Sequence, residues 1–488
     1  MSFWVGIDLG TSGVKTVLID ENQRILADET VPLEVSRPRP GWSEQEPERW
    51  WQAALQTLDA LAARHPAEIA ALSGIGLSGQ MHGATLLDAA GRPLRPCILW
   101  NDGRAQAECA ALEARADFRG IAANLVMPGF TAPKLEWVRR HEPEIFARTR
   151  TVLLPKDYLR YRFSGAFVSD MSDAGGTLWL DVAGRRWSEP LLAATGLAPE
   201  HMPGLVEGNA AAAELARPLC ERWGISRPPL IAGGGGDNAA SACGVGAIAP
   251  GRGYLSLGTS GVLFVSTAAC TPRPENAVHT FCHAVPGTWS QTGVILSATD
   301  CLNWLAELTG RSPEALARAA ETGDPEAGVM FLPYLSGERT PHNDAGARGA
   351  FTGLSRAAGL ADLAHAVFSG VAFALADCVD ALRAAGAPAE EVFAIGGGAR
   401  SEFWLQLIAD ATGLRIAVPG RRDLGAALGA ARLALSATSG GDLSVFRAAD
   451  IARTLVPRPD RQVAMAARRA AFRALYPALS DPGVRLSP

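Results

Sequence analysis

The sequence predicts an α/β protein made of two similar halves, and three observations carry that expectation. The segment LGTSGV occurs twice, at 9–14 and 257–262, which is 248 positions apart in a chain of 488 residues. A repeat of that length is not expected by chance, and its spacing is close to half the chain. A chain this long also exceeds what one hydrophobic core organises. Strand-like and helix-like stretches alternate along both halves. No low-complexity linker separates them, so the repeat itself sets the division, near Ala249-Pro250-Gly251, into halves 1–248 and 249–488.

From the N-terminus, FWVGIDLG alternates small and apolar residues, GTSG is turn chemistry and VKTVLID resumes β-branched alternation, so the first copy reads as strand, tight loop, strand. PERWWQAALQTLDALAARH follows as a helix, with Pro47 at its first position and Trp51, Leu55, Leu58 and Leu61 on one face. Gly74-Ile-Gly76-Leu-Ser-Gly79 matches GxGxxG, but it runs into QMHGATLLD, a loop and strand where a dinucleotide site needs a helix. PPLIAGGGGDNAAS predicts a strand, a glycine run and a helix beginning near Asp237. The second LGTSGV again lies between strands, GYLSLG and VLFVST. AVHTFCHAV alternates as a strand, which sets the rings of His279 and His283 roughly 13 Å apart and argues against a shared metal. EVFAIGGGARSEF repeats the strand, glycine turn and helix pattern with Ser401 as cap, and DLGAALGAARLAL is a helix with Gly425 and Gly429 on one face for close packing.

Composition narrows function further. A net charge of −5 with no basic block removes the electrostatic case for nucleic acid or an anionic membrane surface. No run reaches the ~18 apolar residues of a membrane span, and MSFWVG has no leader pattern. Eight scattered cysteines without a Cys-x-x-Cys pair fit a reducing cytoplasm. Backbone amides of a short Gly/Ser/Thr loop hold phosphate oxygens, so two such hairpins facing each other would grip a polyphosphate from both sides. Alone, each hairpin reads equally as an ordinary turn; the repetition and the acid favour phosphate. Asp8 and Lys15 flank the first loop, against Ser256 and Leu263 in the second, so Asp8 is the candidate to hold a hydrated Mg²⁺. Asp237, preceded by Gly233 to Gly236, is a carboxylate with space beside it that could take a proton from an attacking hydroxyl.

These paired loops, the IGGGAR turn and the half-length duplication resemble the actin/hexokinase-like ATPase superfamily. Within it the chain is similar to the FGGY carbohydrate kinases: GFTAPKLEWVRRH (129–141, with Lys134 and Trp137) fits their first signature and GAFTGLSRAAGLADLAHAVFS (349–369) most of the second, departing at Ser369. FLPYLSGERTPH (331–342) is also family-like. A narrower resemblance, to members that phosphorylate D-xylulose, runs almost end to end through GWSEQEPERWW, SGQMHGATLLD, ILWNDGRA, LLPKDYLRYR, SDMSDAGGTLWLDVA and GGGDNAA. The resemblance implies an α/β fold of two duplicated ribonuclease H-like domains with a catalytic cleft between them, ATP and Mg²⁺ as cofactors and D-xylulose as the sugar. It assigns Asp237 as catalytic base with Asp8 as partner, and Gln80, Met81, His82, Trp100, Asp102, Arg104 and Asn238 to the sugar. Gly10, Thr11, Ser12 and Lys15 fall to the nucleotide from the first half. Gly258, Thr259, Ser260, Gly397, Gly398 and Ala399 do so from the second, and Asp8 through water and Asp237 face the metal. A cytoplasmic monomer or homodimer without nucleic acid or membrane partners is expected. The alternatives are a kinase for ribulose or glycerol, an actin-like ATPase acting as chaperone or filament, and a nicotinamide enzyme using 74–79.

Overall fold

Each half is built on a seven-stranded mixed sheet, and six strands of one sheet have counterparts in the other. The computed structural model describes residues 2–421 and 424–480. Numbering only the strands of the two main sheets, the first holds β1 (Phe3–Leu9), β2 (Gly13–Asp20), β3 (Ile25–Pro32), β4 (Leu72–Gly79), β5 (Ala211–Glu214), β6 (Leu230–Ala232) and β7 (Gly235–Gly236). Its order is β5-β6-β4-β1-β2-β3, with β7 also on β4. The second holds β8 (Gly253–Leu257), β9 (Gly261–Thr267), β10 (His279–Cys282), β11 (Trp289–Ile295), β12 (Glu391–Ile395), β13 (Arg415–Pro419) and β14 (Ile451–Leu455), in the order β10-β11-β9-β8-β12-β13-β14. In both, the LGTSGV hairpin is antiparallel (β1/β2, β8/β9), its first strand runs parallel to the next central strand (β4, β12), and an antiparallel strand closes the edge (β5, β14). The repeat in the sequence is therefore a repeat of topology, and β10 is an addition to the second sheet.

Seven helices matter for the site: α1 (Pro47–Arg64), α2 (Thr131–His141), α3 (Pro155–Ser164), α4 (Asp237–Val245), α5 (Leu360–Ala384), α6 (Glu402–Thr412) and α7 (Ala426–Thr438). α1 starts at Pro47 as its sequence predicts, and Ser401 caps α6 by accepting from the Trp404 amide. α5 is long and apolar enough to cross a bilayer by length and composition, but most of it is buried in the core of the second half.

The halves are joined where α4 and α7 cross. Neither helix could approach so closely with side chains at the crossing: a Cβ on Gly429 would lie 1.7 Å from the Ala240 carbonyl oxygen, and one on Gly244 2.6 Å from that of Gly425. α7 belongs to the second half by sequence, yet it also lies on β1 and β4 of the first sheet. A Cβ on Gly6 would come 1.9 Å from the Ala427 carbonyl oxygen, and one on Gly76 1.7 Å from that of Ala430. This corrects two readings. The GxGxxG at 74–79 lies inside strand β4, with Gly76 packed under a helix, so it is a packing device and not a dinucleotide loop. Of the predicted pair on α7, Gly429 makes the contact, whereas Gly425 precedes the helix and has open space around its Cα.

Gly76→Val should therefore cost about 3 kcal/mol or more, the upper range for overpacking, because backbone and not a pliable side chain is in the way. Urea unfolding would read it; an unchanged midpoint would show that α7 can move off β4 without loss.

Candidate active site

The first hairpin turns between Gly10 and Gly13, whose amide and carbonyl are 2.9 Å apart. Its carbonyls are tied back, that of Leu9 to the Gln80 amide and that of Ser12 to Leu33. The second is held in the same way: the Gly258 carbonyl accepts from the Thr299 amide and hydroxyl, and the Thr259 carbonyl from the Ala298 amide at 2.7 Å. Asp8 lies next to the end of the first strand of its hairpin, in register with Lys15 on β2. Its Oδ1 is buried without a hydrogen-bond partner, and burial raises its pKa to about 6. Lys15 lies near enough to oppose that rise and also pairs with Asp28 at 3.4 Å.

Asp237 is the first residue of α4. Its carboxylate accepts from the Asn238 amide at 2.7 Å and the Asn238 side chain at 3.1 Å. Burial, followed by repulsion from Asp8, raises its pKa to about 7 despite the helix N-terminus. The glycine run before it is fixed from behind. Arg160 on α3 donates to the Gly233 carbonyl, and Ser172 accepts from the Gly236 amide at 3.1 Å. Arg160 and Lys156 lie in a fully buried cluster with Asp157, Asp170 and Asp173, three acids against two bases, and Asp173 is pushed well above the usual carboxylate range by burial. Asn238 also accepts, through Oδ1, from the Tyr254 hydroxyl at 2.9 Å, so β8 of the second half touches the residue beside Asp237.

A cavity of about 380 Å³ opens between these elements, lined from the first half by Met81, His82, Trp100, Phe130, Asp237 and Asn238. His82 has φ of +68°, and its carbonyl is held by Lys134 Nζ at 2.9 Å and the Thr131 hydroxyl at 3.1 Å, both from α2. The GFTAPKLEW signature thus serves to pin the GQMHG loop. Burial and two nearby cations depress the His82 pKa to about 3, so the ring is neutral. Its Nδ1 lies 2.7 Å from the Gly176 carbonyl, which can only accept. The proton therefore sits on Nδ1, and Nε2 is a bare acceptor. Trp100 is nearly half exposed and donates to the Thr11 hydroxyl at 3.0 Å.

Three residues expected at the sugar are turned elsewhere. Gln80 is buried between Thr11, whose hydroxyl donates to it at 2.8 Å, and Gln45, so it couples the first hairpin to the GQMHG loop. Asp102 accepts from the Ser43 amide and from the Arg104 amide and guanidinium, and Arg104 also pairs with Glu44 and lies 3.7 Å over the Trp42 ring. That ion-pair cluster shapes the loop carrying Trp100 and does not line the cavity. Thr11's hydroxyl is likewise committed to Gln80, which leaves its backbone as the part available to a phosphate.

From the second half the same cavity is lined by Ser260, Val262, His279, Phe281 and Arg339, and at one edge by Ile395. Ile395 also borders a second cavity, of about 550 Å³, formed by Gly397, Ala399, Pro419 and Gly420 among others, so the two adjoin. A Cβ on Gly397 would meet nothing within 4 Å, leaving its backbone open to a flat ligand. Gly398 faces inward, where its Cβ would press on Leu257 and Trp404, and it does not line the cavity. Neither Gly258 nor Thr259 lines either one.

Comparison with known proteins accounts for this arrangement. Residues 3–244 match the model of the N-terminal domain of the FGGY family of carbohydrate kinases, and residues 253–438 that of its C-terminal domain. The chain belongs to the FGGY family of carbohydrate kinases. A xylulose kinase of Escherichia coli strain K12 is 50% identical over 478 residues, 97% of this chain and 98% of the relative, and one of Bacillus subtilis is 36% identical over 89% of this chain and 88% of the relative. A solved "xyloylose kinase" from Brucella ovis superimposes with a TM-score of 0.96 at 53% identity, covering 98% and 99% of the two chains. As an FGGY kinase the chain has the two-domain actin/hexokinase-like fold, and the readings as a sugar-free ATPase or a nicotinamide enzyme are set aside. Phe130, Tyr254, His279, Phe281 and Arg339 were missed from the sequence as cavity residues. His279 was weighed only as a metal ligand and Arg339 only as part of a family stretch.

The facing acids make a prediction about stability. Folded Asp237 keeps its proton up to about pH 7, whereas the unfolded group loses it near 3.8, so its ionisation destabilises the fold as pH rises through that window. Asp237→Asn should raise Tm at pH 8, with the gain fading towards pH 4. A variant no more stable than wild type at pH 8 would mean that neither burial nor repulsion from Asp8 penalises the ionised Asp237.

Proposed function

We propose that the protein transfers the γ-phosphoryl group of MgATP to the C5 hydroxyl of D-xylulose, giving D-xylulose 5-phosphate and ADP. The observation that carries the reading is a cavity that holds a carboxylate at a glycine-opened helix start, Asp237, together with a bare histidine acceptor, His82, with Ser260 of the second hairpin in its lining and Thr11 of the first bonded to its Trp100. The high identity to xylulose kinases over almost the whole chain supports this sugar over ribulose or glycerol.

In this reading Asp237 accepts the hydroxyl proton as the oxygen attacks phosphorus and the bond to ADP breaks. Asn238 orients it, and Met81, His82 and Trp100 hold the sugar. The hairpin backbones at Gly10, Thr11 and Ser12 and at Gly258, Thr259 and Ser260 hold the phosphates, and the cavity at Gly397 and Ala399 takes the adenosine. Transfer through a loose transition state depends more on positioning and charge neutralisation than on the strength of the base. Mg²⁺ arrives with ATP. Among the described residues no three His, Cys, Asp or Glu side chains converge on a metal position, which fits an ion held mostly by phosphate and water with one or two carboxylates. The unpartnered Oδ1 of Asp8 and the repulsion between Asp8 and Asp237 suit a divalent cation there. Its charge would also lower the Asp237 pKa and leave the base ionised at neutral pH. Residues 1–248 form the sugar domain and 249–488 the adenosine domain, and the eight unpaired cysteines accord with a cytoplasmic protein.

A coupled ADP-release assay across ketoses and polyols tests the substrate: D-xylulose should give the highest kcat/KM, and His82→Ala should raise KM for the sugar far more than KM for ATP. Equal turnover of glycerol would end this assignment. Asp237→Asn should lower kcat by ~10²–10⁴-fold, the usual range for a general base, and wild-type kcat/KM should fall below about pH 7, the pKa of the free enzyme's Asp237. Retention of half the turnover would remove Asp237 from the mechanism. Asp8→Ala should weaken the dependence on Mg²⁺ concentration as well as the rate, and an unaltered metal titration would count against Asp8.

A further inference from the structure

The sugar cavity contains a charged group whose pairing is incomplete. Arg339 follows Glu338, but that carboxylate is buried and accepts from the Leu296 and Arg339 amides, not from the guanidinium. Among the described residues no carboxylate forms an ion pair with Arg339, and its guanidinium meets only the sulfur of Met127, a weak acceptor. Arg339 is partly exposed and lines the cavity, so guanidinium donors that no oxygen claims are available to a ligand there. Two histidines stand within reach of its field, His82 and His279, and its charge helps to keep both neutral.

The state of His279 follows from its neighbour. Asn124 donates through Nδ2 to the carbonyls of Ala122 (2.9 Å) and Thr280 (2.8 Å), so its Oδ1 is the acceptor that faces His279 Nδ1 at 3.2 Å. Nδ1 therefore carries the proton, and Nε2 of His279, like that of His82, is a bare acceptor. The rings are set by stacking: His279 lies 5.9 Å from Phe281 and 5.6 Å from Phe130, and His82 4.6 Å from Phe130. His279 is on β10, three strands from β8, whose Tyr254 touches Asn238. At strand spacing that is roughly 14 Å from the reacting end.

We propose that Arg339 and His279 form the specificity end of the sugar site, Arg339 donating to the carbonyl oxygen of a ketose and the two histidines accepting from the hydroxyls beside it. The inference rests on the sugar-kinase reading above and extends it. A carbonyl oxygen can only accept, so among similar sugars the one bearing it gains most from a guanidinium that lacks a carboxylate. An alditol offers a hydroxyl there, which the histidines can hold without Arg339.

The test is steady-state kinetics of Arg339→Gln and His279→Gln with D-xylulose, with its reduced form xylitol, and with ATP. Arg339→Gln should raise KM for D-xylulose roughly 10- to 100-fold, leave KM for ATP within about twofold, and reduce the preference for D-xylulose over xylitol by a similar factor. His279→Gln should weaken both sugars alike. Unchanged sugar KM, or an equal loss for sugar and ATP, would overturn the proposal, as would equal losses for D-xylulose and xylitol in the Arg339 variant. Arg339→Lys, which keeps a cation but loses the fork, guards against misfolding: it should unfold at the wild-type midpoint and recover only part of the ketose preference. If wild type releases no ADP with D-xylulose, the substrate reading fails by itself. Calorimetric titration of wild type and Arg339→Gln with the carbonyl sugar that the panel does identify then decides Arg339, and equal affinities or the absence of any such sugar would overturn it.

Discussion

The close crossing of α4 and α7 is the constraint on which the rest of the structure depends. Each helix comes from one half, and they meet through glycine against backbone, so their separation is fixed by main-chain contact and not by side chains that could repack. The N-terminus of α4 is Asp237, and the residues before it form the glycine turn. The other face of α7 rests on β1, the strand that carries Asp8 next to its end. One packing contact therefore sets Asp237, Asp8 and the first hairpin relative to one another.

That arrangement has an electrostatic consequence. Two carboxylates share a partly dehydrated cleft, and both are raised, Asp8 to about 6 and Asp237 to about 7. The N-terminus of α4 and Lys15 oppose the rise without cancelling it. Such a site is destabilised by its own charges and gains from a cation bound with polyphosphate. The buried Lys156 and Arg160 cluster holds the glycine turn rigid under that strain, because Arg160 grips the Gly233 carbonyl that a mobile loop would otherwise release.

Much of this was legible because it is written in local patterns. The LGTSGV duplication is a duplicated hairpin, and turn chemistry between alternating strands located it; glycines before an acid located Asp237. What failed to read correctly depends on where a side chain points after folding. Gln80, Asp102 and Arg104 sit in stretches that resemble a sugar site, one, two and four residues from Met81 and Trp100 in the cavity lining, but the side chains of all three are spent on holding loops. The glycines at 74–79 match a dinucleotide fingerprint by spacing, but the loop and strand that follow already argue against one, and the element is a strand under a helix. Tyr254, His279 and Arg339 come from the half assigned to the nucleotide, and nothing local announces that they line the same cavity as His82. Only the pairing of β10 at the far edge of the second sheet brings His279 opposite His82.

A sugar site lined from both halves bears on how a kinase avoids spending ATP on water. His82 and Asp237 belong to the first half, and Arg339 and His279 to the second. A ligand that satisfies both sets at once favours the closed arrangement by its contacts with each, since a ligand shifts an equilibrium only by its differential affinity for the two states. Under the proposed reading a ketopentose spans from Asp237 to Arg339. A water molecule meets the requirement of one end only and cannot bridge the two. On that reading the contact that selects the ketose would also help to draw the second half onto the first, where phosphoryl transfer would occur.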